Sequence, residues 1–245
     1  MSEARNTAEL FRPEEVDWEL FHDPHGRPTT PVRMLKTDGP SFLETKFEPN
    51  FSIGHHWHPF DTLYIIVEGN MTIGPEGNFL PGDVRWIKAG HVYGPEVSGD
   101  DGVRFFLMSM GDEIGLNWSD LYDTPEKLNQ RLETLPKRWG RANINDAPKN
   151  ELLSNVAIQT LTEENPYIQR LEIGPSATIN AYQHDVDALY MVSGGEINVA
   201  KEGILETEHF RWLPANTATE SITAGTEGAE LLIIGMGELA NFQWL

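Results

Sequence analysis

The amino-acid sequence predicts an all-β protein built from two copies of one antiparallel sandwich or barrel domain. Three observations support this prediction: short apolar runs rich in β-branched and aromatic residues, turn residues between those runs, and an internal repeat. The 245 residues include 22 glycines and 16 prolines, spread over the whole chain. Such punctuation is typical of sheets with many short strands. The length suits one large domain or two of ordinary size, and the repeat favours two.

The internal repeat is the strongest of these signals. An offset of 126 residues aligns positions 49–111 with positions 175–237 without a gap. A period of this length indicates two copies of a whole domain, because the units of solenoid proteins are much shorter. Identical residues at this offset include Pro49/Pro175, Ile53/Ile179, His58/His184, Asp61/Asp187, Leu63-Tyr64/Leu189-Tyr190, Gly69/Gly195, Arg85-Trp86/Arg211-Trp212 and Met110-Gly111/Met236-Gly237.

Each copy contains a series of candidate strands. In the first copy the strand-like runs are SFLETKF, TLYIIV, NMTIG, DVRWIK and VRFFLM. The segments between them, EPN, EG, GPEG, LPGD and SGDDG, are rich in turn formers. Residues of these types in this order favour an antiparallel sandwich or barrel.

The segment between the copies contains the one predicted helix. In DTPEKLNQRLETLP, Thr124 can cap the helix, Pro125 suits its first turn, and Pro136 ends it. Leucines 128, 132 and 135 share one face. We therefore predict a short helical connector that packs against one of the β domains.

The predicted organisation of the chain follows from the repeat and the connector. It consists of an N-terminal arm (1–30), a first β domain (31–112), the helical connector (113–155), a second β domain (156–238) and a C-terminal tail (239–245).

Composition excludes several classes of function. Acidic residues outnumber basic ones 38 to 18, a net charge of −20 that repels nucleic acids and anionic membranes. The absence of cysteine rules out disulfides, thiolate nucleophiles and cysteine-bound metals. The sequence has neither a secretory signal pattern nor an apolar run of membrane-spanning length. We therefore expect a cytoplasmic protein without nucleic-acid or membrane partners.

Two motifs of the first copy resemble those of the cupin superfamily. The first is GHHWHPFDTLYIIVEGN, Gly54–Asn70, with an H-x-H pair at His56 and His58 and a closing glycine at Gly69. The second is GDVRWIKAGHVYGP, Gly82–Pro95. The resemblance covers about 63 residues in each half of the chain and implies two tandem jelly-roll (cupin) domains, a bicupin, whose first half resembles metal-dependent cupin dioxygenases.

The chain departs from the family pattern at several ligand positions. The usual glutamate is replaced by Thr62 and the usual second-motif histidine by Tyr93, while Lys88 replaces a proline. In the second copy, Tyr182, Ala188 and Thr219 stand at the ligand positions and His184 alone remains. We therefore expect the second copy to lack a metal site, and His184 to be an ordinary hydrogen-bonded histidine.

The candidate metal ligands lie in the first copy. His56 and His58 are two residues apart, so on a strand their imidazoles project from the same face and can share one ion. The third ligand is open between His91 and Tyr93, with Asp61 as a carboxylate alternative. The expected cofactor is one divalent metal ion, with Fe(II) favoured over Zn, Mn or Ni. The competing interpretation is a group of solvated histidines at a strand start.

The candidate catalytic residues are Tyr93, His91 and Tyr64. Tyr93 or His91 could move a proton, and Tyr64 could line a pocket above the metal. Tyr64 also recurs in the second copy, as do Arg85 and Glu76, which is more typical of a residue that serves the fold. We therefore interpret Arg85 and Arg211 as salt-bridge or strand-pairing residues.

The predicted function is a metal-dependent cupin enzyme. The favoured form is an Fe(II) dioxygenase that cleaves a small oxygenated substrate, such as a β-diketone, a hydroxyketone or a keto acid. The alternatives are a cupin-type lyase or isomerase and a non-catalytic ligand-binding or sensor protein. The resemblance also allows a homodimer.

Overall fold

The computed structural model describes residues 8–22, 28–37, 40–118, 139–143, 149–162, 165–237 and 243–244. Within these ranges the regular secondary structure consists of β-strands and two 3-10 turns, Pro13–Glu15 and Gly74–Glu76. The predicted all-β fold is therefore confirmed. The predicted connector helix, around residues 124–136, lies outside the described residues.

The chain divides into two compact units. One unit comprises Glu14–Asn143 and is called the first domain below. The other comprises Met1–Pro13 with Ile144–Leu245 and is called the second domain. Each domain corresponds to one copy of the sequence repeat, and strands from the predicted arm and connector extend both.

The first domain is an antiparallel sandwich. Its main sheet has the order β12-β9-β7-β10-β4-β3-β2, with β5 added beside β10 and β8 beside β7, and β11 pairs with β6 in a smaller sheet. The strands, numbered along the chain, are β2 (Glu19–His22), β3 (Pro28–Lys36), β4 (Ser41–Phe47), β5 (Ser52–Ile53), β6 (His56–Trp57), β7 (Thr62–Ile73), β8 (Gly77–Phe79), β9 (Asp83–Ile87), β10 (Glu96–Ser109), β11 (Asn117–Trp118) and β12 (Trp139–Asn143).

The second domain repeats this arrangement. Its main sheet has the order β1-β20-β18-β22-β15-β14-β13, with β16 beside β22 and β19 beside β18, and the smaller sheet has the order β21-β17-β23. The strands are β1 (Glu9–Phe11), β13 (Asn150–Leu153), β14 (Val156–Thr162), β15 (Tyr167–Ile173), β16 (Thr178–Ile179), β17 (Tyr182–Gln183), β18 (Ala188–Val199), β19 (Gly203–Glu206), β20 (Phe210–Leu213), β21 (Ala218–Thr219), β22 (Ile222–Gly235) and β23 (Gln243–Trp244).

The two domains match strand by strand over more of the chain than the sequence repeat suggests. The offset of 126 residues relates β4 to β15 and also β11 to β23, which lie outside positions 49–111. The longest strands, β10 and β22, have the same order of buried and exposed positions along all 14 residues. Burial of the same positions explains why the repeat kept its register, since a one-residue slip would expose the core face.

Each domain has its own apolar core between its sheets. In the first domain this core includes Tyr64, Phe105 and Tyr93, and in the second domain it includes Tyr190 and Leu231. All five side chains are almost completely buried. The tyrosine ring that the repeat shares, Tyr64 in the first domain and Tyr190 in the second, therefore serves the core in both copies, as expected for a residue kept by the fold.

An ion pair on each main sheet keeps its position but is reversed in sign. In the first domain Arg104 on β10 contacts Glu44 on β4, with 3.0 Å between Nη1 and Oε1. In the second domain the same two positions are Glu230 and Arg170, whose Oε1 and Nη2 lie 2.6 Å apart. Opposite charges on neighbouring strands are attractive whichever strand carries which sign. This reversal accounts for the arginine at position 104 where the second copy has a glutamate.

The register irregularity of β7 at Gly69, and of β18 at Gly195, requires glycine in both domains. Gly69 has a φ of +67°, and a Cβ there would lie 2.0 Å from the carbonyl oxygen of Gly102. Gly195 in the second domain has a φ of +71°, with 2.3 Å to the carbonyl oxygen of Gly228. Only glycine tolerates both this backbone conformation and the close approach of another strand. The glycine that closes the first sequence motif is therefore a packing requirement.

We predict that Gly69→Ala destabilises the protein by more than about 3 kcal/mol, because left-handed strain adds to a backbone clash. Gly90→Ala is the matched control, since Gly90 has a φ of +72° but open space where a Cβ would lie. Strain alone should cost it about 1 to 2 kcal/mol. Urea denaturation of both variants measures the difference, and equal losses would contradict the packing argument.

Candidate metal centre

The smaller sheet of the first domain positions two histidines and a tyrosine. His56 lies on β6, and its backbone pairs directly with Tyr93 through two hydrogen bonds of 3.0 Å. Residues directly opposite in an antiparallel bridge project from the same face, so their side chains meet. Their ring centroids are 4.3 Å apart. His58 follows two residues later on the same face, and all three side chains are buried.

The tautomer of each imidazole is set by a main-chain carbonyl. His56 Nδ1 lies 2.9 Å from the carbonyl oxygen of Gly54, and His58 Nδ1 lies 2.8 Å from that of Ile114. A carbonyl oxygen can only accept, so each Nδ1 carries a hydrogen and donates it. Both Nε2 atoms therefore carry a lone pair when the rings are neutral. This is the form in which histidine binds metals.

The two Nε2 lone pairs point at one oxygen atom. The Tyr93 hydroxyl lies 2.7 Å from His56 Nε2 and 2.9 Å from His58 Nε2. The hydroxyl of Tyr64 is 2.5 Å away from the same oxygen. Tyr93 has a single hydroxyl hydrogen and can donate it to only one of the two nitrogens. The other nitrogen lone pair then faces the Tyr93 oxygen and has no hydrogen to accept. A bound cation would satisfy both lone pairs, whereas the single hydroxyl hydrogen of a neutral network satisfies only one.

Burial keeps these rings in their neutral forms. Burial lowers the pKa of His58 to about 4, and Arg85 adds to the shift. Burial also lowers the pKa of His56 well below its ordinary value, with repulsion from His58 as the next cause. The phenols of Tyr64 and Tyr93 shift the other way, because burial raises their pKa well above the ordinary value. Protonation of His56 or His58 near neutral pH is therefore unfavourable, so a proton does not take the place of a metal ion between the two rings.

A buried ion pair supports the Tyr93 ring. Arg85 on β9 donates two hydrogen bonds to Glu76, of 2.5 Å from Nε and 2.7 Å from Nη2. The guanidinium carbon lies 4.1 Å from the centroid of the Tyr93 ring, within cation–π distance. In the second domain Arg211 pairs with Glu202 in the same bidentate way. The interpretation of both arginines as salt-bridge residues is therefore confirmed.

The third arginine nitrogen differs between the domains. Arg211 Nη1 donates to Thr219 Oγ1 at 3.1 Å, and Thr219 is the counterpart of Tyr93. In the first domain Arg85 Nη1 is buried and makes no hydrogen bond to any described residue. Tyr93 thus replaces the threonine that accepts this hydrogen bond in the second domain. Its own hydroxyl instead reaches His56 and His58.

A cavity of about 60 Å³ lies beside the histidines. His56, His58, Tyr64 and Glu96 line it together with apolar side chains from the main sheet, among them Val32, Leu43, Phe47, Ile53, Phe105 and Leu107. Its walls are therefore mostly apolar, with few polar groups directed inward. This composition is typical of a small-molecule site.

Glu96 is the residue of this site that the sequence motifs did not reveal. It is the first residue of β10 and is 2% exposed. A signal was available, because the repeat places Ile222 opposite it and so marks an acid that the fold does not require. Position 56 carries the same signal, since the second copy has Tyr182 where the first has a histidine.

The structure places the other predicted ligands, Asp61 and His91, apart from the cavity. The Asp61 carboxylate accepts hydrogen bonds of 2.8 Å from Lys88 Nζ and from the backbone nitrogen of Ala89. Asp187 holds Ala215 in the same way, so this aspartate anchors a turn in both domains. His91 is buried in the turn after β9, where its backbone nitrogen donates to the carbonyl of Lys88.

Histidine and carboxylate groups alone do not complete a metal site here. Among the residues that the structure describes, no three His, Cys, Asp or Glu side chains form a metal-binding group. The described cluster combines His56 and His58 with the oxygens of Tyr93 and Tyr64 instead. Metal binding by His91 or Asp61 stays a prediction, to be tested by substitution.

The second domain has a hydrogen-bonded tyrosine cluster at the equivalent place. His184 is 1% exposed, and its Nε2 lies 2.5 Å from the hydroxyl of Tyr190. Its Nδ1 lies 3.2 Å from the hydroxyl of Tyr167. Tyr182 occupies the position of His56, and no other histidine faces this cluster from the described residues. His184 is therefore a hydrogen-bonded histidine, as the sequence predicted, and the structure shows that it is buried.

Comparison with known proteins supports the fold. No protein-family model and no curated protein sequence matches the chain. Among solved structures, a proposed dioxygenase from Nostoc punctiforme has a TM-score of 0.71 at 15% identity, over 97% of this chain and 85% of its own. Oxalate decarboxylase from Lactobacillus farciminis has a TM-score of 0.70 at 14% identity, over 96% of this chain and 88% of its own.

A third similar structure is oxalate decarboxylase from Bacillus subtilis, with a TM-score of 0.69 at 14% identity over 96% of this chain and 78% of that protein. At these identities the likeness establishes the fold, which is the cupin fold that the sequence motifs predicted.

No helix in the described part of this chain has the length and hydropathy needed to cross a membrane.

We predict that acid destabilises the metal-free protein partly through His58. Its pKa is near 6.5 in the unfolded chain and about 4 in the folded protein. Between these values the unfolded chain binds the extra proton, so stability is lost as the pH falls from 6.5 to 4, by up to about 3 kcal/mol.

Urea denaturation of chelator-treated protein across this pH range measures the effect. His58→Gln should reduce the number of protons taken up on unfolding by up to one. His184→Gln is the equivalent change in the second domain, where burial also lowers the histidine pKa to about 4. An unchanged pH dependence in His58→Gln would show that folding does not lower the pKa of His58.

Proposed function

We propose that the first domain is a metal-dependent cupin enzyme whose divalent ion is held by His56, His58 and the oxygen of Tyr93. The observation that carries this proposal is the convergence of two imidazole lone pairs on one phenol oxygen. Two nitrogen donors and one oxygen donor on a buried surface suit iron, zinc, nickel or manganese. Fe(II) is favoured because the sequence motifs resemble those of cupin dioxygenases.

The proposed reaction is oxidative cleavage of a small oxygenated substrate, such as a β-diketone, a hydroxyketone or a keto acid. A divalent ion at this centre would supply a Lewis acid and, if it is iron, a site for O₂ chemistry. The protein supplies the rest. Apolar side chains around the histidines exclude water, and the Tyr64 hydroxyl can hold or pass a proton next to the Tyr93 oxygen.

The substrate that this cavity favours is small and carries little charge. About 60 Å³ gives room for only a few water-sized groups. A dianion would lie against apolar walls and the buried Glu96 carboxyl, which is unfavourable. Oxalate decarboxylase from Bacillus subtilis is described as containing Mn(II) centres. We infer that this chain shares the fold of that protein but acts on a less charged substrate.

Two other functions have specific support. Glu96 in the cavity favours a lyase or isomerase, because these reactions need a group that moves a proton. Complete burial of the two histidines favours a ligand-binding or sensor protein, because turnover needs access from solvent. Cytoplasmic location and a homodimer stay predictions.

We predict that the purified protein contains close to one equivalent of a divalent metal per chain, all of it in the first domain. His56→Ala with His58→Ala should remove this metal, because both nitrogen donors are lost. His184→Ala is the matched control and should keep it. Elemental analysis of the three proteins gives the result, and metal-free wild-type protein that cannot be reconstituted would refute the proposed function.

The third donor can be identified with single substitutions. Tyr93→Phe should weaken metal binding by about tenfold or more, as expected for loss of a ligand or its close neighbour. His91→Ala and Asp61→Asn should weaken it only if the alternatives from the sequence are correct. Competition with a chelator measures all three affinities on one scale.

We also predict that Tyr93→His binds the metal more tightly than the wild type near neutral pH. The Tyr93 phenol has a pKa raised by burial, so binding through its oxygen must release a proton, whereas a neutral imidazole offers its lone pair directly. Wild-type affinity should therefore rise with pH more steeply than that of the variant. Identical pH dependences would indicate that the Tyr93 oxygen is not a ligand.

A further inference from the structure

Glu96 is a buried carboxyl group in an apolar part of the first domain. It lies at the start of β10, opposite Ile53 on β5 and Ile73 on β7. Its side chain lines the cavity together with His56 and His58. Its Oε1 atom is buried without a hydrogen bond to any described residue. A carboxyl oxygen in this position costs stability unless it serves a ligand.

The second domain shows that the fold does not need this acid. Ile222 stands at the equivalent position, pairs with Ile179 and Val199 in the same register, and is fully buried in the core. Where Ile222 contributes apolar burial to the second domain, Glu96 places a polar oxygen without a hydrogen bond to any described residue. Glu96 and the pair of His56 and His58 therefore occur together in the first domain, whereas the second domain has neither the acid nor the pair.

Several charged and titratable groups face Glu96. Burial raises its pKa to about 7, while the positive charge of Arg85 and the hydroxyl of Tyr64 favour the ionised form and the carboxylate of Glu76 opposes it. His56 and His58, both neutral, line the same cavity, and burial and then the negative charge of Glu96 raise the pKa of the Tyr93 phenol. Glu96 can therefore be present in both its acid and base forms near neutral pH.

We propose that Glu96 is the acid–base residue of this centre, which takes a proton from the carbon beside the carbonyl of a small ketone and returns it. This inference rests on the proposed function, because a metal ion held by the histidine pair would bind the carbonyl oxygen. The ketone class follows from the cavity lining, which is mostly apolar and suits a neutral molecule, and which brings Glu96 and the histidines to one cavity.

The proton transfer balances within the site. The C–H bond breaks, its electron pair forms the C=C bond of an enolate, and the carbonyl π pair moves to oxygen. The proton forms a new O–H bond on the Glu96 carboxylate, and the reverse step restores the ketone. No oxidant or reductant takes part. The same enolate is the common starting point for oxidative cleavage and for isomerisation.

Hydrogen exchange tests this step without a complete turnover. The probe is acetoin, a small hydroxyketone, incubated in D₂O without O₂ with the metal-containing protein. Loss of the proton signal from the carbons beside the carbonyl, followed by NMR, reports enolate formation. We expect the wild type to catalyse the exchange and Glu96→Gln to lose at least about 100-fold of the rate, the usual contribution of a general base.

Two further variants serve as controls. Glu96→Ile introduces the residue that the second domain carries at this position, so it should fold and should also lose the exchange. Glu48→Gln removes an exposed acid of the same domain and should exchange at the wild-type rate. Metal content is measured for every protein. An infrared spectrum of chelator-treated wild type should show a protonated carboxyl band that disappears near pH 7 and is missing from Glu96→Gln.

The outcomes separate this inference from the proposed function. Exchange that survives in both Glu96 variants, with the metal retained, overturns the role of Glu96 and leaves the metal centre in place. Wild-type protein that holds metal but does not exchange acetoin overturns the ketone class. Wild-type protein without metal or exchange overturns the proposed function and the inference together.

Discussion

The buried pair of Arg85 and Glu76 is the interaction on which the candidate centre depends. Its two short hydrogen bonds place a guanidinium beneath the Tyr93 ring, in the interior of the first domain. Removing one partner of such a pair leaves an uncompensated charge, which costs far more than the pair contributes. The position of the guanidinium is therefore firmly set, and with it the ring whose hydroxyl meets His56 and His58.

The second domain keeps this ion pair and uses it differently. Arg211 and Glu202 form the same bidentate contact, but the third guanidinium nitrogen donates to Thr219, which stands where the first domain has Tyr93. A tyrosine at position 182 then replaces the first histidine. The common fold thus tolerates either a hydrogen-bonded tyrosine cluster or a pair of histidines at the same place, because both rest on the same ion pair and the same strand register.

Hydrogen counting distinguishes the two clusters. In the second domain one imidazole, that of His184, interacts with the hydroxyls of Tyr190 and Tyr167, and hydroxyls can act as donors or acceptors as required. In the first domain two lone pairs compete for the hydroxyl of Tyr93. A cation satisfies both at once. This difference assigns the candidate chemistry to the first domain without reference to any related protein.

Much of the fold and part of the site could be predicted from the sequence. The repeat and the strand-like runs predicted two antiparallel β domains, and the alternation of side chains along a strand predicted that His56 and His58 would share a face. Asp61 was less predictable, because its contact with Ala89 depends on how a distant turn folds back. Glu96 was missed because it lies outside both motifs and reaches the cavity only through the pairing of β10 with β7.

The two β domains, their common register and the confinement of the paired histidines to one domain were all predictable from the amino-acid sequence. These properties follow from local patterns of burial and from residue identities, which a repeat makes visible. Three features became visible only in the folded chain: the hydroxyl of Tyr93 joins the histidines, Asp61 anchors a turn and Glu96 lines the cavity. These choices depend on contacts between strands far apart in the chain, where a side chain's direction is set by pairing partners rather than by its neighbours in sequence.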